Sequence, residues 1–145
     1  MNPVLLFLGL GVGVVMAIYL PLVGAMGRAL SSPVLAAVPF FIVGLTSALV
    51  TTVLTGQAAD LGRIRHLAPW LPLTGFGAFL MIVGTAHLIP RIGASLFFVV
   101  VVAGQLAVGA VVAHYGLLGS ATVPLTLSKV AGLVLVVGGA WLAVR

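Results

Sequence analysis

The sequence predicts an all-α integral membrane protein with five transmembrane helices, and three observations lead there. Of the 145 residues, 63% are hydrophobic and only 5% are charged. A soluble domain carries about 25% charged residues to solvate its surface, so most of this surface must meet lipid. The apolar residues form continuous runs of about 20, the length at which a helix crosses a hydrocarbon core ~30 Å thick. The runs lack alternation of apolar and polar positions, which sets aside a closed barrel, the other fold that satisfies its backbone in lipid.

The spans follow in order. The first, residues 4–24, comes from "MNPVLLFLGLGVGVV", which lacks the basic leader of a secretory signal and is read as a retained helix. A kink or break is expected at Pro21. The second, 34–54, follows Ser31, Ser32 and Pro33, a natural cap with proline in the first turn. The third, 70–88, is introduced by "APWLP". The fourth covers 93–114 and the fifth 123–144. The connections "MGRALSSP", "TGQAADLGRIRHLAP", "IPRI" and "YGLLGSAT" leave no room for a soluble module, so residues 1–145 read as one transmembrane domain. The glycines of "GLGVGV" lie inside a span with no strand before them, which excludes a phosphate loop. Small residues four apart, Gly9 and Gly13, Gly44 and Ala48, Gly109 and Ala113, are the spacing at which membrane helices approach closely. They predict a tightly packed bundle, with Gly9, Gly13, Gly109 and Ala113 at packing interfaces.

Net charge is +5, from six basic residues and one acid. Those bases stand singly in short loops, which marks topology and headgroup contact rather than a nucleic-acid surface. Five spans put Arg63 and Arg65, with Lys129, on one side, and Arg28, Arg91 and Arg145 on the other. Neither side holds the excess that fixes orientation. Two arrangements stay open: insertion both ways round, which allows an antiparallel homodimer, or one orientation set by the Arg63–Arg65 cluster. Trp70, Tyr115 and Trp141 fit the aromatic belt at the membrane interfaces. With no cysteine, disulfides are excluded.

Chemistry has few residues to work with. Asp60, the one acid, lies in a loop, so no buried carboxylate is available to exchange substrate for protons, and no acid completes a catalytic triad. His66, His87 and His114 are far apart near span ends, which speaks against a metal site. No enzyme activity, cofactor or metal is expected. Gln105, in "VVVVAGQLAVG", is the most central polar side chain, and it has two readings. It bonds a neighbouring helix, or it lines a polar cavity and orients a solute by donating and accepting at once. Gly104 beside it permits close approach. Lys129 either snorkels to the interface or faces inward toward an anionic solute. Tyr19, just before Pro21, is the aromatic placed to face a cavity. Thr46, with its neighbouring hydroxyls, either bonds back to its own helix or adds a polar contact.

Three stretches carry a resemblance: "LSSPVLAAVPFFIVG" (30–44), "LIPRIGASLFFVVVVAGQLAVGAVVAHYGLLG" (88–119) and "PLTLSKVAGLVLVVGGAWL" (124–142). Taken in this order, they resemble the YdcZ family of the drug/metabolite transporter superfamily. The shared pattern falls on Ser32, Pro33, Pro90, Arg91, Gly93, Gly104, Gln105 and Gly116. The resemblance implies a half-size, five-helix bundle that works as a pair, as the two halves of larger members do. Relatives often carry an asparagine shortly before the first loop, where this chain has Val23. The first-helix glutamate of the related small multidrug transporters has no counterpart, so proton-coupled cation export is not carried over.

The sequence therefore predicts a multi-pass protein of the bacterial inner membrane that moves a small organic solute. It is expected to act as an antiparallel homodimer by alternating access. Its solute contacts are Gln105, Gly104, Tyr19, Lys129 and Thr46, and the absent buried acid favours a neutral or anionic solute. The competing reading is a non-transporting membrane subunit or assembly factor acting through helix–helix contacts. A polar cavity favours transport and a dry, packed interface favours the alternative.

Overall fold

A computed structural model describes residues 3–143. Val144 and Arg145, the end of the fifth predicted span and one charge in the topology balance, lie outside the described residues. Five α-helices follow in order: α1 (Pro3–Ala29), α2 (Pro33–Leu54), α3 (Thr74–Ile92), α4 (Ala94–Tyr115) and α5 (Leu127–Ala143). Short 3-10 turns cover Ala58–His66, Leu71–Leu73 and Leu117–Gly119. No strand occurs among the described residues. α1, α2, α4 and the stretch Leu71–Ile92 that contains α3 are long and apolar enough to cross a membrane, and α5 is a shorter apolar helix. Its 17 residues span about 26 Å. The chain divides into two compact units that meet between Arg91 and Ile92.

In the first unit, α1 lies along α2 and crosses α3. The buried residues of α1 are Leu20, Val23, Gly24 and Gly27, a stripe with helical spacing confined to its C-terminal half. α2 contributes Ala36 and Ala37 from its N-terminal half. α3 contributes Ile82, Thr85, Ala86 and Ile89. Ser32 caps α2, its hydroxyl accepting from the Leu35 N–H at 3.2 Å, with Pro33 at the first position. Thr85 is fully buried, and its hydroxyl donates to the Met81 carbonyl at 2.8 Å, which satisfies it within its own helix.

Several boundaries differ from the sequence expectation. α1 runs through Pro21 to Ala29 as one helix. The buried side chains on either side of the proline supply the packing that carries the helix past its lost hydrogen bond. α3 likewise continues through Pro90 and Arg91, expected as a loop, and stops only at Gly93. Gly93 has φ +80°, a left-handed backbone in which glycine carries no steric cost.

The second unit is the hairpin of α4 and α5. The left-handed Gly116 ends α4, and a Cβ placed there would meet the Thr122 hydroxyl at 2.5 Å. The following segment folds back along α4: the Val123 N–H donates to the Ala113 carbonyl at 2.8 Å, and the Ser120 hydroxyl donates to Leu117 and Val112 at 2.8 and 3.2 Å. These bonds hold the loop in non-helical form, so α5 starts at Leu127 rather than near residue 123.

Candidate functional site

Gln105 lies eleven residues after Ala94 and ten before Tyr115 in α4, so each helix end is about 15 Å away. That is the middle of a ~30 Å hydrocarbon layer. Its side chain is exposed, and its amide makes no hydrogen bond among the described residues. An unpaired amide in hydrocarbon costs several kcal/mol. The interhelical bond considered from the sequence is absent within this hairpin, so the amide is left to be met by a group from elsewhere.

A groove of about 430 Å³ opens between α4 and α5, lined by Gln105, Leu106, Gly109, Ala113, Leu125 and Lys129 among others. That volume is within the ~300–1,000 Å³ range of small-molecule sites. Gly109 and Ala113 sit one and two turns beyond Gln105, and their small side chains keep the groove open. It runs about 12 Å along α4, from mid-membrane to the end of the helix. Most of its wall is apolar, with two polar exceptions, Gln105 and Lys129.

Lys129 stands in the first turn of α5. Its backbone N–H donates to the Thr126 hydroxyl at 3.4 Å, and its ammonium donates to the Pro124 carbonyl at 2.9 Å. A cation there opposes the helix dipole, whose positive end lies at the N-terminus. An anion near this end of the groove would therefore meet two favourable fields. The groove wall at Leu125 is fixed by His114, whose Nδ1 accepts from the Leu125 N–H at 3.1 Å. This makes Nδ1 the unprotonated ring nitrogen. Sequence places His114 near a span end but does not reveal this role, because no spacing rule links an imidazole to a loop amide eleven residues on.

The structure thus brings Gln105 and Lys129 together with Gly109 and Ala113. Gly104 is exposed beside Gln105, with open space where a Cβ would stand. Tyr19 and Thr46 are residues of α1 and α2, outside this groove. Tyr19 is half-buried, its ring stacked on Phe40 with centroids 5.9 Å apart. Thr46 is exposed and donates its hydroxyl to the Ile42 carbonyl at 2.8 Å, one of the two roles left open from sequence. Open space also surrounds Gly9, Gly13 and Gly109. In α1 the glycines that make close contact within the chain are Gly24 and Gly27, against Ile89 and Ala86 of α3. Among the described residues, no three His, Cys, Asp or Glu side chains converge on a metal position.

No curated protein and no solved structure matches the chain. A family model described as "Putative inner membrane exporter, YdcZ" matches residues 4–142.

Proposed function

The chain belongs to the YdcZ family, and on that premise we propose that it carries a small organic solute out across the bacterial inner membrane. The observation that supports a solute site in this chain is the unpaired Gln105 amide at mid-membrane, facing a groove that continues to the helix end. The amide donates and accepts at once, so it orients a polar solute in an otherwise apolar passage. Lys129 adds positive charge at the outer end of the same groove. Because the chain holds one acid, loop residue Asp60, nothing in a span would neutralise a cationic solute. The solute class we assign is neutral or anionic.

Gly104 would let the solute approach the backbone of α4. Tyr19 offers a ring for stacking and Thr46 an oxygen that still accepts after donating to its own helix. We assign the working unit to an antiparallel homodimer that alternates access by rocking. The exposed notch at Gly9–Gly13 supports it as a surface on which a second copy can pack closely.

The test is flux in liposomes containing the purified protein, measured across a panel of small neutral and monoanionic organic solutes. Gln105→Leu should lower flux of the transported solute by roughly tenfold or more, the cost of leaving a solute hydrogen bond unmade. The dimer should persist on size analysis. Undiminished flux in Gln105→Leu would overturn the site, and no flux of any solute by the wild type would overturn the transport reading.

A further inference from the structure

The first unit carries a second cavity, of about 400 Å³, with a different character. Arg28, from the last turn of α1, and Arg91, from the last turn of α3, both line it, together with His87 and Ser31. α2 opens onto it through Pro33, its first residue. The close approach of Gly27 to Ala86 lies at the same place, so α1 and α3 are held with their basic C-terminal turns side by side.

Two guanidinium groups around one cavity call for negative charge. The chain cannot supply it from a carboxylate side chain, because Asp60 is its one acid and pairs with Arg63 at 3.1 Å. Arg91 spends one N–H on the His87 carbonyl at 2.6 Å. Arg28 makes no side-chain hydrogen bond or ion pair among the described residues. A guanidinium has five N–H donors in a planar fork, so most of this donor capacity stays free. The C-terminal dipoles of α1 and α3 offset only part of the two charges. Free, forked donors around a concave site match the oxygens of a phosphate group better than a point charge does. The position fits as well: the cavity lies where two spans end, at headgroup depth, and basic pockets between membrane helices take anionic headgroups.

We propose that the Arg28–His87–Arg91 cavity is a binding site for a phosphate-bearing anion, the group shared by anionic lipid headgroups and soluble phosphates. The site is separate from the Gln105 groove, and its occupancy is read by binding rather than by flux. It extends the sequence reading of singly placed bases in headgroup contact to a site built by two helix ends.

The test uses the full-length protein in detergent micelles, titrated with phosphatidylglycerol and, separately, inorganic phosphate, and read by native mass spectrometry. Phosphatidylcholine of the same acyl chains is the zwitterionic control. The wild type should retain phosphatidylglycerol over phosphatidylcholine. Arg28→Gln and Arg91→Gln should each weaken the binding by about tenfold, the scale of a lost charge-assisted hydrogen bond. Arg63→Gln, outside the cavity, should leave it unchanged. Arg91→Lys, which keeps the charge but loses the fork, should fall between wild type and Arg91→Gln. Retention of the lipid in excess inorganic phosphate assigns the site to headgroups. Arginine-dependent binding of inorganic phosphate, with displacement of the lipid, assigns it to a soluble phosphate. The proposal is overturned if neither phosphatidylglycerol nor phosphate is preferred by the wild type, or if Arg63→Gln weakens binding as much as the cavity variants do.

Discussion

Ser31 takes a left-handed backbone, with φ 50°, just past the end of α1. Its N–H donates to the Arg28 carbonyl and that of Ser32 to the Gly27 carbonyl, both at 3.1 Å. This bond pair closes a helix whose next residue is left-handed, a place glycine usually takes. Serine pays for its Cβ there, so Ser31→Gly should stabilise the protein by about 1 kcal/mol. A higher thermal midpoint in detergent checks this, and an unchanged or lower one refutes it. Gln105 presents a different conflict, between an amide and hydrocarbon, and its position in the middle of an apolar run made it legible without coordinates. Lys129 was legible as a residue but not as a groove wall. Its location beside Gln105 depends on how far the loop from Gly116 to Thr126 runs before α5 begins.

At the scale of elements, the informative contact is the crossing of α1 over α3. Pro90 has no N–H to give to the Ala86 carbonyl, its partner in a regular helix. That same carbonyl oxygen would lie 2.8 Å from a Cβ built on Gly27. At Gly24 the neighbours are instead side-chain atoms, Ile89 Cγ2 at 2.9 Å and Cβ at 3.1 Å. A side chain can give by a few tenths of an ångström more readily than the Ala86 backbone can. Gly27→Ala should therefore destabilise by about 1–3 kcal/mol, as overpacking does, while Gly24→Ala should cost less. Thermal unfolding of the two variants in detergent decides the order, and a larger loss in Gly24→Ala would reject this account of the crossing. Spacing alone pointed to Gly9 and Gly13, which have the same small residues at an ideal interval yet face open space within the chain. A repeat of small residues states that a helix can be approached closely. It does not state which side or which half of the helix is approached.

For the whole molecule, the balanced loop charges predict insertion both ways round. The chain has no cysteine, so one introduced in a loop reports orientation without background. Gly62 suits the purpose, since it lies in the exposed α2–α3 connection with open space around it. The segment after Pro90 is unsuitable, because it continues α3 to Ile92. If the protein inserts both ways, Gly62→Cys should be labelled from both faces of a sealed membrane by an impermeant thiol reagent. Labelling from one face only would refute the antiparallel pair while leaving the groove and the basic cavity untouched.

Read from sequence, the chain is already a multi-pass helical membrane protein whose spans hold no acid and carry one amide at mid-membrane. Those properties follow from composition and from the length of apolar runs, which depend on the solvent and not on partners. Three-dimensional packing is what places Gln105 and Lys129 on one groove, gives the intrachain crossing to Gly24 and Gly27 rather than Gly9 and Gly13, and brings Arg28 and Arg91 to one cavity. Each of these depends on the rotation of a helix about its axis and the point at which it crosses its neighbour. In lipid the hydrophobic effect exerts no pull on either, so both are settled by local packing and hydrogen bonds, which the apolar pattern does not record.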